Sequence, residues 1–297
     1  MTAEELARKV RLIELRARRT AAGMISGAYH SAFRGQGVEF QEVREYVPGD
    51  DTRSIDWNVT ARVGRPYIKR YAEEREQTVV IVLDASRSHL FGSGAALKKD
   101  VTAEIFAVLA FAAVQNKDEA ALILFTGEVE LYVPPRRGPR HVLRLIREVL
   151  AFEPHRPGTN LAGALEFLCR VRRRRSLVFV ISDFQDRGYE RQLRTAAQFH
   201  DVVAFTVYDP REALLPDCGL MDFVDAETGA KWTLDTHDVR ARHAWSKGAQ
   251  TRAEEVRQIF RSAGVDHLGI ETGSDYLRKM VPFLEHRNAR LERRIGV

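Results

Sequence analysis

Apolar residues recur along this chain in two patterns. From Thr78, the run TVVIVLD stays apolar until it ends on a carboxylate, as a strand buried on both faces would. Glu119 to Thr126, Ser176 to Asp183 (SLVFVISD) and Asp201 to Tyr208 (DVVAFTVY) repeat that pattern, and Val265 to Ile270 adds a last, shorter run. Between them the spacing changes. Residues 97 to 115 place Val101, Ile105, Val108, Leu109 and Ala112 on one stripe, which predicts a helix. His141 to Leu150, Leu161 to Val171, Tyr189 to Phe199, 237 to 263 and Asp275 to Glu285 read as helices too. Strands alternating with helices of this length predict a Rossmann-like α/β fold, a mostly parallel sheet with helices on both faces. Glu128 to Val133, separated from the preceding strand only by Gly127, is expected to pair back as a hairpin. Met221 to Asp225 and Lys231 to Leu234 flank a Glu-Thr-Gly turn and predict a second hairpin.

The first quarter differs. Residues 4 to 21 carry Leu6, Val10, Ile13 and Ala17 at helical spacing. Residues 22 to 76 are rich in Gly, Arg, Asp and aromatics and predict turns and short strands. The division expected from this change is 1–76, an N-terminal helix and charged region, and 77–297, the α/β domain.

Composition narrows the function classes. The chain has 297 residues, 44% hydrophobic and 29% charged, an ordinary globular balance. No apolar run approaches the ~18 residues of a membrane span. The first residues are charged throughout and do not form the apolar core of a signal peptide, so a cytoplasmic location is expected. Cys169 and Cys218 are far apart, form no CxxC pair, and are expected to be small, partly buried side chains. The net charge of +5 is mild. The densest basic run, Arg170 with Arg172 to Arg175, reads as cations complementing a helix C-terminus. No aromatic platform accompanies it, so nucleic acid is not an expected partner.

Several polar groups fall where open α/β sheets bind ligands, at the carboxyl ends of strands. Asp84 ends the first strand and opens DASRS, in which Asp84, Ser86 and Ser88 alternate and can turn their oxygens one way. Thr159 lies in a Pro-Gly-Thr-Asn loop before a helix, and Asp183 ends another buried strand. Each has an ordinary explanation when taken alone: Ser86, Ser88 or Thr159 as a helix cap, Asp84 as a turn former. Together they form a hard-oxygen donor set suited to Mg²⁺, with Mn²⁺ or Ca²⁺ of the same type. Five protein groups leave an octahedral ion room for water or an incoming carboxylate. The competing reading is a Mg²⁺-dependent hydrolase or phosphatase using Asp84 as nucleophile. Such an enzyme wants an acid two residues on, and that position is Ser86. No phosphate-binding GxxxxGK[ST] loop and no GxSxG elbow is present, and no base can be assigned, so no catalytic residue is named.

The DxSxS pattern, the later Thr loop and the later strand-ending Asp resemble a von Willebrand factor A domain with its metal-ion-dependent adhesion site. Gly35 to Arg62, GQGVEFQEVREYVPGDDTRSIDWNVTAR, resembles the signature of the bacterial domain-of-unknown-function fifty-eight family, as do GTNLAGAL, ISDF and the DxETG segment. That resemblance covers nearly the whole chain. It implies that Ser86, Ser88 and Thr159 touch the metal directly and that Asp84 and Asp183 act directly or through water. It implies as partner a MoxR-type AAA+ ATPase or its client, with an adaptor or co-chaperone role in complex assembly. One departure is His89, where many relatives have Met after the second serine.

The signature interleaves acids, arginines and aromatics. One reading is a salt-bridged structural cap; the other is a docking face for the ATPase built from Arg44, Asp51, Arg53, Asp56 and Arg62.

Overall fold

The computed structural model describes residues 3–25, 39–47, 50, 52, 55–72, 77–94 and 96–295. The chain divides into two compact units, Phe33–Gln77 and the combination of Met1–Ala32 with Thr78–Val297. The helix that opens the chain, α1 (Ala3–Ile25), therefore belongs to the α/β unit and not to the charged segment that follows it in sequence. The physical reason is its buried stripe. Ile13, Ala17 and Ala21 are buried, and the helix also makes ion pairs from Lys9 to Asp100 and from Arg16 to Glu104.

The smaller unit pairs β1 (Glu39–Glu45) antiparallel with β2 (Tyr67–Ala72), with the short helix α2 (Trp57–Val63) between them in sequence. Asp56 is the N-cap of α2, accepting from the amides of Asn58 at 3.0 Å and Val59 at 3.3 Å. Gly64 ends the helix in the left-handed conformation, φ 74°. Arg44 forms a fork to Asp50 at 2.9 and 2.7 Å.

The α/β unit is built on β3 (Thr78–Asp84), α3 (Lys98–Gln115), β4 (Glu119–Phe125), β5 (Val129–Arg136), α4 (Pro139–Ala151), α5 (Leu161–Val171), β6 (Leu177–Ser182), α6 (Glu190–Phe199) and β7 (Asp201–Tyr208). A single helical turn, α7 (Pro210–Ala213), and the ribbon of β8 (Leu220–Val224) with β9 (Lys231–Asp235) come next. The unit ends with α8 (Val239–Ala263), β10 (Asp266–Glu271) and α9 (Tyr276–Ile295).

The six-stranded sheet runs β10-β7-β6-β3-β4-β5. Its pairs are parallel except that β5 returns antiparallel against β4, as the Gly127 spacing predicts. Every residue of β3 and β6 is buried, which explains their unbroken apolar runs. Counting only this sheet in chain order, the arrangement is 3-2-1-4-5-6. The chain reverses its direction of winding between β3 and β6, and a crevice opens at their carboxyl ends.

The basic run after α5 packs locally. Arg172 donates to Thr78 Oγ1 at 3.0 Å and Ser176 Oγ at 3.2 Å. The cysteines are unpaired, and Cys218 is exposed where partial burial was expected.

His267 on β10 stacks on Phe260 with centroids 4.6 Å apart and shares a 2.9 Å hydrogen bond with Thr206. Burial, reinforced by the charge of Arg257, lowers its pKa to about 4. Folding thus favours the neutral ring. Its contribution is complete above the unfolded pKa of 6.5 and is lost as the pH falls towards 4. Denaturant melts across that window are expected to lose on the order of 2–3 kcal/mol from this group. A His267→Gln variant is expected to show a flatter profile, and an unchanged slope would refute the assignment.

Candidate metal centre

The crevice at the switch point is lined by three loops, each held by its own local chemistry. The first follows β3. Asp84 is buried, and its Oδ1 accepts the Ser86 amide at 2.9 Å. That bond folds the loop so that Ser86 and Ser88 face the same side, with their Oγ atoms 3.0 Å apart. Ser86 precedes a short 3₁₀ turn, Arg87–Leu90, and Ser88 lies within it.

The second loop follows β6. Ser182 donates to Asp84 Oδ2 at 2.6 Å, tying the ends of the two central strands together. Ser182 Oγ also accepts the Phe184 amide at 3.0 Å. Phe184 is buried at φ 54°, a conformation that bulky side chains rarely adopt. It is held there by edge-on packing against Phe260 at 4.9 Å and by Tyr189 at 6.0 Å. This backbone costs on the order of 1–2 kcal/mol and turns the chain sharply beside Asp183.

The third loop carries Thr159. A Cβ on Gly127 would collide with the Pro157 carbonyl oxygen, so only glycine lets this loop approach the end of β4. The Asn160 amide donates to Thr126 O at 2.8 Å, and Asn160 caps α5 through Gly163 N at 2.8 Å. Asp186, from the second loop, accepts the Leu161 amide at 2.8 Å and locks the two loops together.

Four groups that sequence reasoning missed or left aside complete the site. Ser182 is the first. Lys98, at the start of α3, is fully buried and donates to Asp183 at 2.9 Å and to Glu212 at 2.6 Å. His89 is buried, and its Nε2 lies 3.7 Å from Asp84 Oδ2 with no hydrogen-bond partner among the described residues. Glu227, at the tip of the β8–β9 ribbon, accepts the hydroxyl of Thr159. No periodicity signals Lys98 or Glu227; only the DxETG pattern drew attention to the latter.

The charges explain the titration behaviour. Burial alone would raise the Asp84 carboxyl, but the pull of His89 and the bonds from Ser182 and the Ser86 amide outweigh it and hold it low. Glu227 goes the other way. Burial, joined by the charges of Asp84 and Asp183, pushes its carboxyl up despite the bond from Thr159. Asp84, Asp183, Glu212 and Glu227 bring four carboxylates around one ammonium, Lys98, and the ring of His89. Even with that ring charged, the cluster is short of positive charge.

The donor set fits a divalent ion. Ligand atoms of Asp84, His89 and Asp183 all lie within 4.8 Å of one another. The 3.0 Å between Ser86 Oγ and Ser88 Oγ is close to the edge of an octahedron with bonds of about 2.1 Å. Each carboxylate oxygen retains a lone pair beyond the hydrogen bonds described. The unpartnered nitrogen of His89 adds a softer donor beside the oxygens.

The structure thus brings Asp84, Ser86, Ser88 and Asp183 to one crevice, with Thr159 joined to it through Glu227. The signature residues are placed differently. Arg44 and Asp56 bond within the smaller unit, Arg62 is exposed in the last turn of α2, and Asp51 and Arg53 lie outside the described residues.

The doubly wound, mostly parallel sheet with an antiparallel edge strand has a fold of the von Willebrand factor A type. Residues 42–255 match the family described as Protein of unknown function DUF58, and the chain belongs to that family. The uncharacterized protein Rv1480 of Mycobacterium tuberculosis is 31% identical over 286 residues, covering 95% of this chain and 90% of that protein. The uncharacterized protein MAV169 of Mycobacterium avium is 34% identical over 157 residues, covering 52% of this chain and 92% of its own length. Among solved structures, the conserved hypothetical protein BatB from Bacteroides thetaiotaomicron is 15% identical with a TM-score of 0.49, covering 72% of this chain and 99% of that one. The SpRpn10 VWA domain is 8% identical with a TM-score of 0.40, covering 70% of this chain and 94% of that one. Both scores are below one half, and the fold is read from strand order and direction instead. Among the described residues, no helix is long and apolar enough to cross a membrane.

Proposed function

We propose that this chain is a metal-dependent protein-interaction module. Asp84, Ser86, Ser88, Thr159 and Asp183 hold Mg²⁺, or Mn²⁺ or Ca²⁺ in its place, and a carboxylate of a partner protein completes the shell. The bound ion would supply a directional, charge-assisted bond to that carboxylate. The observation that carries this reading is the pair of serine hydroxyls 3.0 Å apart beside Asp84 at the switch point. The family resemblance supports the identity of the partner, a MoxR-type AAA+ ATPase or its client, and an adaptor or co-chaperone role in complex assembly. In the smaller unit, the exposed side chains of Arg62 and Trp57 are proposed for a second contact with the ATPase.

A phosphatase reading gains less support. Both oxygens of Asp84 already accept hydrogen bonds and the group is buried, which suits an anchoring ligand better than a nucleophile.

The test is a binding assay with a purified MoxR-type ATPase of the same organism. Wild-type protein is expected to bind it in Mg²⁺ and to lose at least tenfold in affinity in EDTA. Ser88→Ala is expected to lose as much in Mg²⁺. Binding indifferent to both changes would discard the metal-bridged mechanism.

A further inference from the structure

The ribbon of β8 and β9 is built to hold one carboxylate in place. Asp225 accepts the amides of Glu227 at 2.9 Å and Thr228 at 2.7 Å, and Gly229 completes the turn at φ 72°. Behind the tip, Phe223 stacks on Trp232 at 5.7 Å and packs on Trp245 of α8 at 5.3 Å. Trp245 in turn donates to Glu212 O at 2.9 Å, so the ribbon is tied to the residue that also pairs with Lys98. The ribbon thereby carries Glu227 to Thr159, 68 residues away in sequence. The bond to Thr159 holds the Glu227 carboxylate on the loop beside the strand ends that carry Asp84 and Asp183, and like charges gathered there repel. A cation among them reverses the sign of that interaction. The buried Nε2 of His89, which makes no hydrogen bond among the described residues and lies 3.7 Å from Asp84 Oδ2, points independently to a ligand in the same crevice.

We propose that Glu227 is a built-in carboxylate ligand of the metal centre, so that the chain closes its own site and a partner's carboxylate must displace the hairpin tip. This inference rests on the cation-site reading given above. It makes the ribbon a competitor whose release sets partner affinity.

Mn²⁺ titrations followed by electron paramagnetic resonance, together with hydrogen exchange of the amides at 225–230, separate the two claims. Wild type is expected to bind Mn²⁺ about tenfold more tightly than Glu227→Gln, which keeps the shape and loses the charge. Mn²⁺ is expected to slow exchange at the tip in wild type and not in the variant. Equal affinities, or equal protection in Glu227→Gln, overturn the self-ligation and leave the cation site standing. Failure of the wild type itself to bind Mn²⁺ overturns both.

Discussion

Replacing Lys98 with Met is expected to lower the melting temperature by roughly 10 °C. Lys98 is fully buried, and its ammonium faces Asp183 at 2.9 Å and Glu212 at 2.6 Å. Burial alone would strip its proton, but the two carboxylates outweigh burial and raise its pKa. Removing one partner of a buried ionic group leaves uncompensated charge, which costs about 3–5 kcal/mol. For a unit of this size each kcal/mol moves the midpoint by about 2–4 °C. The pH dependence has a definite sign. The folded pKa lies above the unfolded value of 10.5, so the stabilisation is present below that pH and fades as the pH rises beyond it. Thermal melts of both proteins read the effect, and a change under ~2 °C would mean that Lys98 does not hold the two loops together.

Asp84→Ala is expected to abolish divalent binding, with affinity falling by at least about a hundredfold. Asp84 is the group on which the site converges, accepting from Ser86 N and Ser182 Oγ and facing His89. In the metal-free protein the effect is smaller. Two donors lose their acceptor, a cost of about 1–3 kcal/mol each, set against relief of a buried charge. The contrast lies in the response to metal. At a concentration of 100 times its dissociation constant, an ion stabilises the wild type by about 2.7 kcal/mol, and the variant gains nothing. Calorimetric titration and paired melts with and without Mg²⁺ check this. Unchanged Mg²⁺ affinity in Asp84→Ala would place the ion, if any, elsewhere.

Most of the sheet is legible from the amino-acid sequence, because burial on both faces demands continuous apolar runs. TVVIVLD and SLVFVISD can hardly be anything but central strands. The same logic marks the candidate site residues. A carboxylate at the end of such a run lies at the strand's carboxyl end, where an α/β sheet binds its ligands. Asp84, Ser86, Ser88, Thr159 and Asp183 are therefore readable without coordinates as candidate site residues. The hairpin across Gly127 was readable too, although the need for glycine there is not. That need comes from Pro157, 30 residues on, whose carbonyl occupies the space of a side chain.

What tertiary structure alone decided is which distant groups share the crevice. Lys98 looks like any lysine at a helix start, and its burial follows from two loops that fold over it from 85 and 114 residues away. Ser182 reads as an ordinary strand residue until its hydroxyl bridges to Asp84, 98 residues earlier. The place of α1 in the α/β unit depends on partners such as Asp100 and Glu104, which no local pattern identifies. Glu227 lies at the tip of a hairpin that the sequence predicts, but nothing in the sequence predicts that it reaches Thr159. Periodicity reports the environment of a residue along its own element. Charge pairing across loops is set by how the elements pack, and so the candidate oxygen donors could be read from the chain while the ammonium of Lys98 and the carboxylate of Glu227 beside them could not.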